Sequence, residues 1–321
     1  MQFKALLKTL TFFLRFTPNY TKIGYYARSL TWAQSEPYNF SGQTWVITGA
    51  AGGLGEAIMH SAAIAGADVY AIDRNPEALQ TSIASLSKIA RSNITPVVAD
   101  MSLQAGTTAV LDQIKQNTET IDVLINNVGV LLREHSLTIE GRETSFVTNV
   151  LSHFQLTEGL IDKRLLSTDG VVVNMSSGGM YNAPLGTRRL NTLDSAAYHG
   201  SAAYNFAKRA QVALTSYWNE QHAASGLRFY VTHPGWAKTQ GVKSSMPTFW
   251  KIQNILLRTP RQGADTAIWL CATRPAISQE EVIWFDRKPR STHLSGATRN
   301  PRCTVDELVD YLRVELQKDL S

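Results

Sequence analysis

The stretch that decides the fold is Trp45-Val46-Ile47-Thr48-Gly49-Ala50-Ala51-Gly52-Gly53-Leu54-Gly55-Glu56-Ala57-Ile58-Met59. The apolar run reads as a short buried strand. The glycines suit a tight turn, and Glu56 onward reads as a helix. A strand, a glycine-rich turn and a helix in direct succession make a cradle for a dinucleotide. The backbone approaches the pyrophosphate, and the helix N-terminus offers free N–H groups to its charge. Thr48, Gly49, Gly53, Leu54 and Gly55 are therefore candidate cofactor contacts. The turn fits both a TGxxxGxG spacing and a TGxxGxxG spacing.

Outward from this stretch, apolar runs alternate with helical patterns. Strands are expected at Asp68–Ile72, Val97–Ala99, Val123–Ile125, Val171–Asn174, Phe229–Val231 and Val282–Phe285. Long amphipathic stretches such as Gly141–Leu160 and Ala203–Ala223 lie between them. The alternation predicts an α/β fold, a doubly wound parallel sheet in a three-layer sandwich. Thr304-Val305-Asp306-Glu307 reads as a capping box that opens a helix over Val305–Leu320. No repeat or composition shift follows residue 42. The reading is one domain over residues 43–300 with a lid around 240–260, a C-terminal helix in 301–321, and an N-terminal segment, 1–42.

The chain has 321 residues, 44 % hydrophobic and 18 % charged, enough apolar material for a large core. Its net charge of +5 is modest, and basic runs are confined to the N-terminus and Arg287–Arg290. Nucleic acid is not implied. The two cysteines, Cys271 and Cys303, form no CxxC, so neither a metal site nor a disulfide scaffold is expected. A reducing, cytoplasmic setting fits that usage.

The N-terminal segment has no acidic residue before Glu36. Phe3, Leu6, Leu7, Leu10, Phe13 and Leu14 recur at helical spacing opposite Lys4, Lys8 and Arg15. A basic amphipathic helix over residues 2–16 is expected. It would rise only about 22 Å, short of the roughly 30 Å of a bilayer core. Three placements are open: a membrane surface, a mitochondrial transit sequence, or the domain itself.

Asp73 ends the second strand, where a carboxylate accepts from the ribose of NAD and repels the 2′-phosphate of NADP. Arg74 beside it would attract that phosphate. The pair leaves NAD or NADP open, with NAD favoured. Asp100 is placed for the adenine amino group or for a helix cap. Asn127 and Gly129 in Asn126-Asn127-Val128-Gly129 follow the fourth strand, at the crevice where such sheets bind ligands.

Tyr204-Asn205-Phe206-Ala207-Lys208 puts Tyr204 and Lys208 one helical turn apart. A tyrosine titrates near pH 10, and an adjacent ammonium lowers that value. Tyr204 is then the acid for carbonyl reduction or the base for alcohol oxidation. Ser177, after the fifth strand, is placed to hydrogen-bond the substrate oxygen, with Ser176 as competitor. Asn149 sits within a long helix, where asparagine is an indifferent former, so a site role and a solvated surface are both open.

These motifs together resemble the short-chain dehydrogenase/reductase family over about residues 43–287. The matching segments are TGAAGGLG, NNVG, Asn149, Ser177, YNFAK and HPGWAKT (His233–Thr239). The resemblance implies a Rossmann-type fold and NAD(P)-dependent hydride transfer. It implies Tyr204 as acid/base, Lys208 on the nicotinamide ribose, Ser177 on the substrate and Asn149 supporting a water relay. Pro234, Gly235 and Thr239 would lie in a loop closing on the nicotinamide. One branch is matched further by SSGGM, HPGWAKTQGV, DRKPRSTHL and Lys22–Tyr25. Two features depart from the family: Ser177 and Tyr204 are far apart for its compact members, with Tyr181–Tyr198 inserted to shape the entrance, and related enzymes that use NADP often carry a small residue at position 73.

Met246, Phe249, Trp250, Ile252, Ile255, Leu256 and Leu257 fall where the family covers its substrate. They suit a lipophilic carbonyl or alcohol, or a helix packed on its own core. A homo-oligomer is compatible with the composition. The rival functions are a non-catalytic NAD(P)-binding scaffold or redox sensor, and a sugar-nucleotide epimerase.

Overall fold

The computed structural model describes residues 16–33 and 37–318. The amphipathic helix expected over 2–16 lies outside them, Phe16 excepted. The strands are β1 (Thr44–Thr48), β2 (Asp68–Asp73), β3 (Ile94–Val98), β4 (Ile121–Asn126), β5 (Leu166–Met175), β6 (Arg228–Thr232), β7 (Val282–Phe285) and β8 (Lys288–Ser291). The helices are α1 (Lys22–Ser29), α2 (Gly53–Ile64), α3 (Pro76–Ala84), α4 (Lys88–Ser92) and α5 (Gln104–Asn117). One continuous helix, α6, is built from Thr144–Phe146, a π-helical turn Val147–Leu151, and Ser152–Asp162. Then come α7 (Gly200–Gln221), α8 (Gln240–Ser245), α9 (Pro247–Gln253), α10 (Pro260–Thr273) and α11 (Val305–Gln317).

The strands form one sheet in the order β3-β2-β1-β4-β5-β6-β7-β8, parallel except for the β7–β8 hairpin. Strand periodicity sorts side chains to two cores. Trp45, Ile47, Val123, Ile125 and Val173 face α2 and α10. Val46, Leu124 and Val172 face the side carrying α5, α6, α7 and α11. The result is the three-layer, doubly wound architecture expected.

Three local outcomes differ from the sequence reading. β3 begins at Ile94 because Pro96 lies on an edge strand, where its missing donor is harmless. β8 was not foreseen: its four residues, Lys-Pro-Arg-Ser, are all exposed and carry no alternation. Its turn, Asp286-Arg287, has φ of 50° and 59°, a left-handed pair usually supplied by Asn-Gly. The described part of the N-terminal segment, set apart from the domain in the sequence reading, packs on it. Tyr20 and Thr21 are buried, and Phe40 lies against Trp45.

The capping box opening α11 forms as expected, with Thr304 and Glu307 exchanging hydrogen bonds. α2 sits close to β1 because Gly55 has no side chain: a Cβ there would lie 1.9 Å from the Gly49 carbonyl oxygen. Gly52, extended at the start of α2, has nothing within 4 Å of its Cβ position. Gly55→Ala is therefore expected to destabilise the fold by at least ~2 kcal/mol, as overpacking against backbone does. Gly52→Ala should cost under ~1 kcal/mol. Thermal melting of the two variants checks the contrast.

Candidate active site

The site grows from the C-terminal ends of β1, β4 and β5. Thr48 Oγ1 accepts from the Asn127 and Val128 N–H groups, each at 3.0 Å. Asn127 Nδ2 donates to the carbonyls of Thr48 at 2.8 Å and Gly49 at 3.2 Å. The turn backbone needs glycine where φ is positive, at Gly49 (68°) and Gly53 (59°). Gly129 leads into the catalytic side: a Cβ there would lie 2.8 Å from Asn149 Oδ1 and 3.3 Å from Lys208 Nζ.

Asp73, half-buried, accepts from Ala51 N through Oδ2 and from Asn75 N through Oδ1, both at 3.0 Å. Its charge is thereby fixed beside the glycine turn. Arg74 is exposed. Asp100 Oδ1 accepts from Ser102 N at 2.9 Å, so it organises the start of the connection after β3.

At the end of β5 the two serines separate. Ser176 is buried and donates to the Lys208 carbonyl at 2.8 Å. Ser177 accepts from Gly179 N at 3.2 Å, and its hydroxyl sits beside the Tyr204 phenol. Lys208 Nζ donates to Met175 O at 2.8 Å and lies 5.5 Å from the Tyr204 ring centroid. Burial pushes the Lys208 ammonium down to about 7. Burial also pushes the Tyr204 phenol up, with the Ser177 hydroxyl pulling partly back. The sequence expectation was a phenol lowered by ammonium. In the structure burial of the phenol dominates instead.

Asn149 is not a solvated surface residue. It is fully buried in the π-helical turn of α6, a distortion frequent at functional sites. Its Oδ1 accepts from Val130 N at 3.0 Å, and its Nδ2 donates to Val130 O at 2.8 Å. Behind it stand two residues the sequence reading missed. Gln211 Nε2 lies 2.9 Å from both Asn149 O and His153 Nδ1. His153 Nε2 lies 2.9 Å from Val128 O. Burial and the nearby Lys208 push His153 down to about 3, so it is neutral, donating to Val128 and accepting from Gln211. The available signal was spacing: His153 follows Asn149 by one helical turn, and Gln211 follows Lys208.

The loop after β6 completes the enclosure. Thr239 caps α8, accepting from Val242 N at 3.3 Å, and its methyl lies 3.1 Å from the Cβ position of Gly53. Leu54 reaches across to Gly263 in α10. Pro234 and Gly235 line the loop between His233 and Trp236. Ser245, after this loop, donates to Leu131 O at 2.8 Å, which ties the segment to the chain following β4. Trp236 meets Phe249 edge-on at 5.0 Å. Leu257 is buried, whereas Ile252 and Ile255 are exposed. The inserted stretch after Tyr181 sends Leu185 and Leu190 into the core beside Leu308 and Leu312.

The residues fit a dinucleotide. The glycine turn keeps side chains off the α2 N-terminus. Gly129 and Gly179 keep them off the floor between the turn and Tyr204, where a Cβ on Gly179 would lie 3.3 Å from the tyrosine ring. Lys208 has three donors and gives one to Met175, which leaves others for ribose hydroxyls. Among the described residues no cluster of ligands suits a metal.

Comparison with known proteins agrees. The short chain dehydrogenase family profile matches residues 43–188. The chain is 33 % identical to dehydrogenase/reductase SDR family member 12 of Bos taurus, over 96 % of this chain and 97 % of that protein. It is 29 % identical to human retinol dehydrogenase 11, over 82 % of this chain and 86 % of that protein. A Burkholderia cenocepacia short chain dehydrogenase solved in complex with NADP superposes with a TM-score of 0.59 at 19 % identity, covering 73 % of this chain and 92 % of that one. With its sheet order, glycine turn and full-length relative, the chain belongs to the short-chain dehydrogenase/reductase family, as an NAD(P)-dependent oxidoreductase.

Proposed function

We propose that the protein moves a hydride between a nicotinamide and a lipophilic carbonyl or alcohol, with Tyr204 as proton donor and acceptor. The observation that carries this reading is the Tyr204 ring, packed against Gly179 beside Ser177, with the buried Lys208 Nζ 5.5 Å from its centroid. The bound nicotinamide supplies the hydride. Ser177 and Tyr204 hold the substrate oxygen, and Tyr204 delivers its proton as charge develops there. Lys208 binds the nicotinamide ribose. Asn149, held at both amide atoms by Val130, supports the water through which the proton is replenished. Thr48, Gly49, Gly53, Leu54, Gly55, Asp100, Asn127 and Gly129 hold the rest of the dinucleotide, under a loop carrying Pro234, Gly235 and Thr239.

Support for an apolar substrate comes from the segment over the cleft, where Phe249 and Trp250 are half-buried and Met246 is exposed. Relatives named as retinol dehydrogenases point the same way. An apolar substrate partitions into membranes, and the basic residues 2–16 would bring the enzyme to that surface. No helix among the described residues is long and apolar enough to cross a membrane. NAD is the favoured cofactor, because the Asp73 carboxylate is fixed by two backbone N–H groups and repels a 2′-phosphate.

Three outcomes are expected. Tyr204→Phe should lower turnover of an apolar aldehyde or ketone panel by at least about 10²-fold, with cofactor affinity kept; equal turnover in variant and parent would remove Tyr204 from the chemistry. Wild type should prefer NADH, and Asp73→Asn should move the NADH/NADPH affinity ratio toward NADPH by about tenfold. Cofactor affinity should also fall as pH rises above about 7. The buried ammonium loses its proton there, and an anionic ligand favours the charged form. The slope should reach at most about tenfold per pH unit and vanish in Lys208→Met, as read by fluorescence titration between pH 6 and 9.

A further inference from the structure

Residues 16–30 lie before the stretch matched by the family profile, and the proposed reaction uses none of them. They are nevertheless tied to the site by a buried charge cluster. The Asp286 carboxylate, 1 % exposed, accepts from Arg258 at 2.6 and 2.8 Å and from Arg28 of α1 at 2.6 Å. The same Arg258 guanidinium reaches Thr21 O at 3.3 Å, Asn19 O at 3.2 Å and Pro234 O at 3.3 Å. One buried cation therefore holds the N-terminal segment, the β7–β8 turn and the loop after β6 together.

Tyr20 fills the space this cluster encloses. Its carbonyl accepts from Trp236 N at 2.8 Å. Its ring meets His233, Phe285 and Trp236 edge-on, at 4.9, 5.3 and 5.7 Å. On its other side it lies 3.1 Å from the Cβ position of Gly178, the neighbour of Ser177. Gly235 is pinned too: with φ of 72°, a Cβ would lie 2.6 Å from Arg258 Nε and 2.7 Å from Tyr20 O.

We propose that residues 16–30 brace the nicotinamide side of the site, with Tyr20 as a positioning residue that sets the spacing between the Ser177–Gly179 turn and the His233–Trp236 loop. The proposal rests on the reading of that loop as the one closing on the nicotinamide. A buried charge cluster specifies one register where an apolar contact would allow several. Tyr20 transmits that register to both walls that flank the reacting atoms. The brace contacts run to the β7–β8 turn, the loop after β6 and Gly178, whereas the adenine half is built on residues 48–55 and Asp73.

The test uses the full-length protein and two ligands: NADH, and ADP-ribose, which keeps the adenine half and lacks nicotinamide. Tyr20→Ala should weaken NADH by about tenfold, or ~1.4 kcal/mol, and leave ADP-ribose within about twofold. Arg28→Gln, on a partly exposed side chain, should shift the NADH/ADP-ribose ratio the same way and keep the fold testable if Tyr20→Ala does not accumulate. A lowered melting temperature with both ligands weakened equally, or with neither weakened, overturns the brace and leaves Tyr20 a packing residue. Turnover is scored separately. A parent that binds NADH but reduces nothing overturns the catalytic reading, while the ligand ratio still decides the brace.

Discussion

The site depends on the junction between Thr48 and Asn127. β1 is the strand at which the order of the sheet reverses, with β2 on one side and β4 on the other. The connections leaving β1 and β4 part there and open a crevice. Their bare strand ends would leave backbone donors and acceptors unpaired, at about 1–3 kcal/mol for each buried group. Thr48 and Asn127 satisfy those groups reciprocally across the gap. In the proposed binding mode the N–H groups at the start of α2 take the pyrophosphate.

A second polar system sets α7, and through it Tyr204. Asn126 donates to Thr157 and Asn174, and Asn174 donates to Thr215, all in the buried centre of the domain. Thr215 lies on the same face of α7 as Gln211 and Lys208, which bind Asn149, His153 and Met175. Polar contacts from Lys208, Gln211 and Thr215 to two elements, β5 and α6, fix the helix in rotation as well as in depth. An apolar face would pack at lower desolvation cost but would not choose one rotation. The direction in which Tyr204 points follows from that choice.

The sheet and the glycine turn were legible because both rest on local pattern: buried strands as apolar runs, glycines where φ is positive. The Tyr204–Lys208 pair was legible as a helical spacing, and the structure places it beside Ser177. What sequence could not separate was Ser176 from Ser177, since neighbouring strand-end residues face opposite sides and only the register of β5 decides which faces Tyr204. The π-helical turn that buries Asn149 has no sequence signature. The hairpin turn at Asp286-Arg287 was hidden for a different reason. Its left-handed backbone is held by Arg28 and Arg258, from distant parts of the chain, and not by residues suited to such a turn.

In the proposed reaction the two directions ask different things of Tyr204. Desolvation disfavours charge on both partners, holding Tyr204 protonated and drawing Lys208 toward neutrality. A protonated phenol at the substrate oxygen is the form that carbonyl reduction consumes. Alcohol oxidation needs the phenolate, which burial disfavours, and the His153 imidazole behind it is neutral. Compensating positive charge for the phenolate has to arrive with the oxidised cofactor, whose nicotinamide is cationic. In the proposed reaction the oxidative direction therefore depends on bound cofactor for its base, while the reductive direction finds its acid already in place.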